Sequence, residues 1–343
     1  MALEIDEVRS YSKWVGMREE WDRLLGKSDE DDVFLTSDWL QTWWQVYGGG
    51  RRLSIIIARE QGELVGVAPL MTTKIGKIVK LSVVEFIGTG QSDRLGSFAK
   101  EGDVRIHSAL WDHVNGMKEW DVLDLRDMRE DFASARSVKE AFRAAEFEVS
   151  VDLWIPMRGT YKEYLVGLSS SFRHGITRSW AKLDGLAANI DVITEPERMN
   201  EGFETLVGLS MRRWNGRGTS TLADVRMRTF LEGAVARLCA KGEVVFHVLN
   251  ASNEPIAITL GFLHAKRYLY YLSGLNPDYK GFGPGKSLLM KIVQDCYERD
   301  LEEMDLLRGG EEYKFKFNPQ ERHLVRCRYG KGVKASLSEK MGY

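Results

Sequence analysis

The sequence predicts an α/β (α+β) chain made by tandem duplication, each half a mixed, mostly antiparallel sheet flanked by helices. Three observations predict it. At 343 residues the chain exceeds one ordinary domain. Each half runs through helical stretches, a three-stranded meander, a helix and a short strand. The two short strands read alike, Val122-Leu123-Asp124-Leu125-Arg126 against Met304-Asp305-Leu306-Leu307-Arg308, as duplication of one unit would leave them. The seam falls near Pro156-Met157-Arg158-Gly159, which divides the chain into residues 1–156 and 157–343.

In the first half, Leu3–Val8 reads as a strand, followed by helices near Met17–Leu25 and Asp38–Tyr47. Thr36, Ser37 and Asp38 stand ready to cap the second helix. Its Trp39, Trp43 and Tyr47 recur every fourth position, the spacing of a buried helix face. The β-rich runs Leu53–Arg59, Leu64–Met71 and Leu81–Ile87 form the meander, the first two split by Glu60-Gln61-Gly62-Glu63. A helix over Asp103–Gly116, a strand over Trp120–Leu125, a helix over Ser134–Ala145 and a strand over Phe147–Ile155 complete the half. The second half has helices over Ser171–Leu183, Pro196–Asn215 and Asp224–Lys241, with Gly242 placed to end the last. Its meander is Val244–Asn250, Ile256–His264 and Tyr268–Ser273. A helix over Ser287–Arg299 and strands over Met304–Leu307 and Leu324–Tyr329 follow. Alternation in Leu324–Tyr329 reads as an edge strand with charged outer residues.

A formal net charge of -2 provides no global field for nucleic acid or a membrane surface. Cys239, Cys296 and Cys327 are odd in number and far apart, which argues against a disulfide framework or a zinc site. The six histidines are scattered, and no metal is expected. The start MALEIDEVRS lacks the pattern of a signal peptide. No apolar run nears the roughly 18–20 residues that span a bilayer. A cytoplasmic protein is the expectation.

The segment that carries chemistry is Lys280-Gly281-Phe282-Gly283-Pro284-Gly285-Lys286-Ser287, between a strand and an amphipathic helix. Glycines there let the backbone approach a ligand closely. The unbonded N–H groups of the helix start, at the positive end of its dipole, attract an anion. Lys280 and Lys286 add charge, and a pyrophosphate fits. A plain tight turn with a solvated lysine is the alternative. A Rossmann site would put its glycines after the first strand of a βαβ unit, whereas this turn follows a meander. A Walker loop would need glycine five places before Gly285, where Lys280 stands.

A strand of a meander, then a basic or amide residue, two residues, Gly, one residue, Gly or Ala, and a helix resembles the acyl-CoA signature of GNAT acetyltransferases. Here it reads Lys280…Gly283…Gly285, with Lys where the family usually has Arg or Gln. The chain further resembles the CelD-like acetyltransferases of polysaccharide and cellulose biosynthesis, relatives of the Fem aminoacyltransferases. The stretches that carry this are Phe34–Leu40, Gly66–Leu70, Ser92-Asp93, Ser273-Gly274, Gly283-Pro284-Gly285 and Asp305 through Gly309 to Tyr313-Lys314. The resemblance implies tandem GNAT-like domains, one at 1–156 without a CoA motif and one at 157–343 with the acyl-CoA site. Gly88–Gly96 of the first half has no glycine three places after Gln91.

It also implies acyl transfer, of acetyl in the first instance, from acetyl-CoA or another acyl-CoA to an amine, such as an amino sugar or other polysaccharide precursor. Lys280, Phe282, Gly283, Pro284, Gly285, Lys286 and Ser273 would hold the co-substrate. Main-chain N–H groups of Tyr268–Gly274 would stabilise the oxyanion. Tyr313 is the candidate acid for the leaving thiolate, and Asp305, Glu311 and Glu312 are candidate bases. Pairing of Asp305 with Arg308 or Lys314, solvation of the glutamates and simple packing of Tyr313 are the rival readings. Arg173, Arg178, Trp214, Asp93 and Lys314 are candidates for the acceptor, a small-molecule or sugar-linked amine. Arg173, His174, Arg178 and Lys182 equally read as a solvated helix face, and Asp93 as a turn cap. Two other functions stay open: a Fem-like transferase using aminoacyl-tRNA, and a GNAT-fold binding module without catalysis. Nucleic acid has no part in the leading reading, and the oligomeric state is not legible.

Overall fold

The computed structural model describes residues 3–76, 80–214 and 220–331. In chain order the elements are β1 (Leu3–Val8), α1 (Tyr11–Gly16), α2 (Arg18–Leu25), α3 (Ser37–Tyr47), β2 (Arg52–Leu53), β3 (Ile55–Glu60), β4 (Glu63–Ala68), β5 (Leu70–Ile75), β6 (Leu81–Phe86), β7 (Phe98–Ala99), α4 (Val104–Gly116), β8 (Val122–Arg129), α5 (Ala133–Ala141) and β9 (Glu146–Pro156). There follow α6 (Tyr161–Gly167), α7 (Ser170–Asp184), β10 (Asn189–Ile193), α8 (Met199–Trp214), α9 (Val225–Cys239), β11 (Val244–Ala251), β12 (Glu254–His264), β13 (Arg267–Leu275), α10 (Pro284–Glu298), β14 (Glu303–Arg308), α11 (Glu312–Phe315) and β15 (Gln320–Gly330). They form two compact units: Met1–Val151 with Arg322–Tyr343, and Asp152–Glu321. The first unit therefore takes back the last strand after the chain has passed through the second.

In the first unit, β1-β3-β4-β7 form an antiparallel sheet, and β8-β6-β5-β2 line up in a second. The expected run Leu64–Met71 is two strands, because Pro69 has no N–H for a ladder and its fixed φ turns the chain from one sheet to the other. The Pro69 carbonyl instead accepts from Ile87 at 2.8 Å. The aromatic stripe of α3 is a core face: Trp39, Trp43 and Tyr47 are buried, and Thr36 caps the helix at the Trp39 amide. Both indoles donate into the following loop, Trp39 to Ser92 Oγ at 2.9 Å and Trp43 to Gln91 Oε1 at 2.6 Å. The parallel pair β6–β8, joined through α4, is in register only at Val83↔Val122 and Val84↔Leu123. The expected edge strand is an inner one. β8 flanks β15 on one side and β9 on the other, where Arg326 reaches Glu148 at 3.0 Å.

The second unit has the strand order β10-β11-β12-β13-β14-β9. The three-stranded meander β11-β12-β13 is where the hydrophobic pattern puts it, and β10 adds an edge that its polar Asn189 and Asp191 concealed. Crossover through α10 then sets β14 parallel to β13. This repeats the β6–α4–β8 plan of the first unit and makes the duplication structural. Both short strands also carry a bulge with a left-handed residue, Asp127 (φ 62) in β8 and Leu307 (φ 60) in β14. No helix among the described residues is long and apolar enough to cross a membrane, and all three cysteines are buried free thiols.

The core of the second unit holds a buried polar chain. His247 lies 3.1 Å from Asp295 through Nε2 and 3.4 Å from the Tyr268 hydroxyl through Nδ1. Burial opposes the charge on Asp295, but hydrogen bonds from His247 and Arg299 hold its carboxyl below the ordinary range. The Tyr268 ring lies flat against Gly261, where a Cβ would stand 2.2 Å from Cζ. Gly261→Ala is therefore expected to cost about 1–3 kcal/mol through overpacking, read as a lower urea midpoint. An unchanged midpoint would show that the ring moves aside freely.

Candidate active site

The turn before α10 is built in two steps. The Asn276 side chain caps a 3-10 turn, Pro277–Phe282, by accepting from the Asp278 amide at 3.1 Å. Gly283 then takes a left-handed conformation (φ 66, ψ 43) and serves as N-cap of α10. A Cβ there would meet Lys286 Cε at 2.5 Å and Ser179 Oγ at 2.8 Å, so glycine is required on two counts. Pro284 occupies the first helical position, where no N–H is needed. The helix has no side-chain cap, so its first turn presents amides without an acceptor from the helix. At Gly285 a Cβ would press on Leu275 Cδ2 at 3.3 Å. A bulky residue at Gly285 would thus disturb the packing of α10 as well as any ligand.

A basic cluster surrounds this turn. α7 packs against it: Lys286 Nζ donates to the Gly175 carbonyl at 3.3 Å, and Lys182 Nζ to the Gly281 carbonyl at 3.2 Å. Partial burial depresses the Lys286 ammonium below its usual range, and Arg178, Lys182 and Lys316 depress it further. Arg178, Lys182 and Lys316 thus lie within electrostatic reach of Lys286 in the first turn of a 15-residue helix, an arrangement that favours an anion. Lys280 stays exposed on the 3-10 turn. Phe282 packs its ring against Tyr279 at 5.8 Å.

The strands beyond the turn part from each other. β13 and β14 are in register over Arg267↔Glu303, Tyr268↔Met304 and Leu269↔Asp305 only, yet they run on to Leu275 and Arg308. β14 turns away through its bulge, where the Leu307 amide donates to the Asp305 carboxylate at 2.8 Å. Asp305 is wholly buried. β13 is itself bulged: Leu260 faces Leu272 and Gly261 faces Tyr270, so Tyr271 is an extra residue. Ser273, half-buried, sits on the parted stretch opposite Thr259.

Lys314 is a structural staple. Its buried ammonium donates to the carbonyls of Leu307, Arg308 and Gly309 at 3.4, 3.0 and 3.2 Å and pairs with Glu311 at 2.8 Å. Glu312 is nearly fully exposed beside Lys316, and Tyr313 is 41% exposed on α11. Of the acceptor candidates, Arg178 joins the cluster at the turn, and Arg173 lines a groove between α6, α7 and α10. Asp93 lies in the first unit, half-buried between the buried Ser92 and the Asp32–Arg94 ion pair. The Trp214 side chain lies outside the described residues, as do Asn215 and the chain beyond residue 331. Lys316 belongs to the basic stretch that starts at Lys314, and nothing local links it to a turn 30 residues earlier.

The left-handed glycine, the uncapped helix start and the parted parallel pair all lie within a segment, under half of the chain, that is similar to acetyltransferases. Residues 170–315 match the family described as "Acetyltransferase (GNAT) domain". No curated protein matches the sequence. Among solved structures, the chain is similar to FemX, with TM-score 0.63 and 11% identity over 94% of this chain and 96% of that one. It is similar to L-PGS from Bacillus licheniformis, with TM-score 0.57 and 14% identity over 98% and 96%. A tandem GNAT protein from the clavulanic acid biosynthesis pathway gives 0.50 and 12% over 97% and 99%. At these identities the likeness concerns the fold, which is that of tandem GNAT-like units.

Lys314→Met should remove the donor for three carbonyls and cost about 1–3 kcal/mol, the penalty for buried acceptors left unsatisfied. Urea unfolding monitored by tryptophan fluorescence measures it. Wild-type stability in this variant would refute the staple.

Proposed function

We propose that the chain transfers an acyl group, acetyl in the first instance, from acyl-CoA to a primary amine. The observation that carries this is the uncapped start of α10, with Gly283 left-handed and Lys286 in its first turn, within electrostatic reach of Arg178, Lys182 and Lys316. The diphosphate of acyl-CoA supplies the charge that this cluster lacks. Gly285 and Lys286 present main-chain amides to it. The pantetheine arm then runs into the parting between β13 and β14, and the thioester carbonyl lies against the bulged main chain around Tyr271. There, N–H groups stabilise the oxyanion as the amine attacks. The C–S bond breaks as the C–N bond forms, and Tyr313 donates a proton to the departing thiolate. Asp305, committed to the Leu307 amide inside the core, suits the role of shaping the strand. Glu312, exposed at the start of α11, is the better placed to take the amine proton through water.

The acceptor is proposed to be an amino sugar or related polysaccharide precursor, with the reaction in the cytoplasm. The order of short stretches shared with the CelD-like type supports this. The basic face of α7, with Arg173, His174, Arg178 and Lys182, supports a second reading in which a Fem-like enzyme takes aminoacyl-tRNA. Binding of acetyl-CoA against binding of uncharged tRNA separates the two.

Lys286→Glu should weaken acetyl-CoA binding at least tenfold by isothermal titration. It should leave the fold intact, because the substitution relieves repulsion among neighbouring cations. Undiminished affinity would remove the diphosphate from this turn. Tyr313→Phe should lower turnover, followed as thiol release with a panel of amines, more than it lowers acyl-CoA affinity. Unaltered turnover would take Tyr313 out of the reaction.

A further inference from the structure

The second unit contains a groove of about 620 Å³ between α6, α7 and α10, which the steps above leave unused. Tyr161, Ile176, Trp180 and Met290 give it an aromatic and apolar lining, and Arg173 and Lys291 bring positive charge from facing helices. It adjoins the basic turn. Ile176 follows Gly175, whose carbonyl receives Lys286. Trp180 follows Ser179, which stands beside Gly283. Met290 lies one helical turn beyond Lys286 on α10. The size suits a nucleotide.

We propose that this groove receives the 3′-phosphoadenosine end of the acyl-CoA whose diphosphate rests on the first turn of α10. The inference rests on the acyl-CoA reading above and extends it to one further site. A purine needs a flat apolar face, and Trp180 offers a half-buried indole. The Lys291 ammonium lies over that ring, 5.5 Å from its centroid, and donates to Gln294 Oε1 at 3.1 Å. Entry of the purine displaces it, and a phosphate nearby gives it a stronger partner than the ring did. Arg173, whose side chain has no ion pair among the described residues, meets the same phosphate from α7. Asp184, at the margin of the groove, accepts from the exocyclic amine. The cations matter for the choice of ligand. CoA carries a phosphate on its 3′-oxygen, whereas the terminal ribose of an aminoacyl-tRNA carries none, so Arg173 and Lys291 favour the thioester co-substrate.

The test is titration calorimetry of the full chain with CoA and with 3′-dephospho-CoA. Wild type should bind CoA at least tenfold more tightly than the dephospho form. In R173Q/K291Q the two should come within twofold of each other, because affinity for CoA falls and affinity for dephospho-CoA holds. Trp180→Leu should weaken both ligands by the same factor, and CoA should quench Trp180 fluorescence in the wild type relative to this variant. Equal affinities in the wild type, or a tenfold gap that persists in the double variant, would overturn the groove assignment and leave the turn intact. Failure of the wild type to bind either ligand would overturn the acyl-CoA reading and this inference together. Thermal melting of each variant identifies misfolding. Should R173Q/K291Q misfold, the single variants K291Q and R173Q serve, each expected to close part of the gap, and no closure in either refutes the assignment.

Discussion

The hydrogen bond from the Leu307 amide to the buried Asp305 carboxylate governs the shape of the second unit's sheet. A parallel pair would ordinarily stay in register for its full length. Here β14 inserts an extra residue, Leu307 adopts a left-handed conformation that branched and bulky residues seldom take, and the strand leaves its neighbour after three pairs. Such a conformation persists only where surrounding contacts over-determine it. Asp305 fixes one side of the kink, and the Lys314 ammonium gathers the carbonyls beyond it.

The same two residues mark the limit of what the sequence made legible. Asp305 and Lys314 stood out as chemical candidates because charged residues beside a short strand are conspicuous. Only three-dimensional packing reveals that both are buried and bonded to main chain. The turn itself was legible, since Gly283 and Pro284 each constrain the backbone locally, as were the second unit's meander and the aromatic face of α3. The split at Pro69 was legible in principle and missed because a continuous hydrophobic run masked it. The convergence of α7 upon α10 was not legible, since a face of arginine and lysine looks the same whether it meets water or another helix's N-terminus. Trp180, on the same helix, is half-buried beneath Lys291.

The two units show what duplication keeps and what it discards. Both retain a parallel pair joined by a helix, and both retain a bulged short strand. Their loops differ. Gly283 leads into an uncapped helix, whereas the first unit's loop after β6 is tied down by indole donors from Trp39 and Trp43 and by the buried Asp32–Arg94 pair. Several of its side chains are thus held from within the unit.

The return of β15 to the first unit also orders events during synthesis. The ribosome makes β8 some two hundred residues before its partner strand, so one edge of that sheet waits, unpaired, while the whole second unit emerges. Exposed strand edges are templates for association with other chains. Arg126 and Arg129 put charge on β8, and charged residues along an edge disfavour such association.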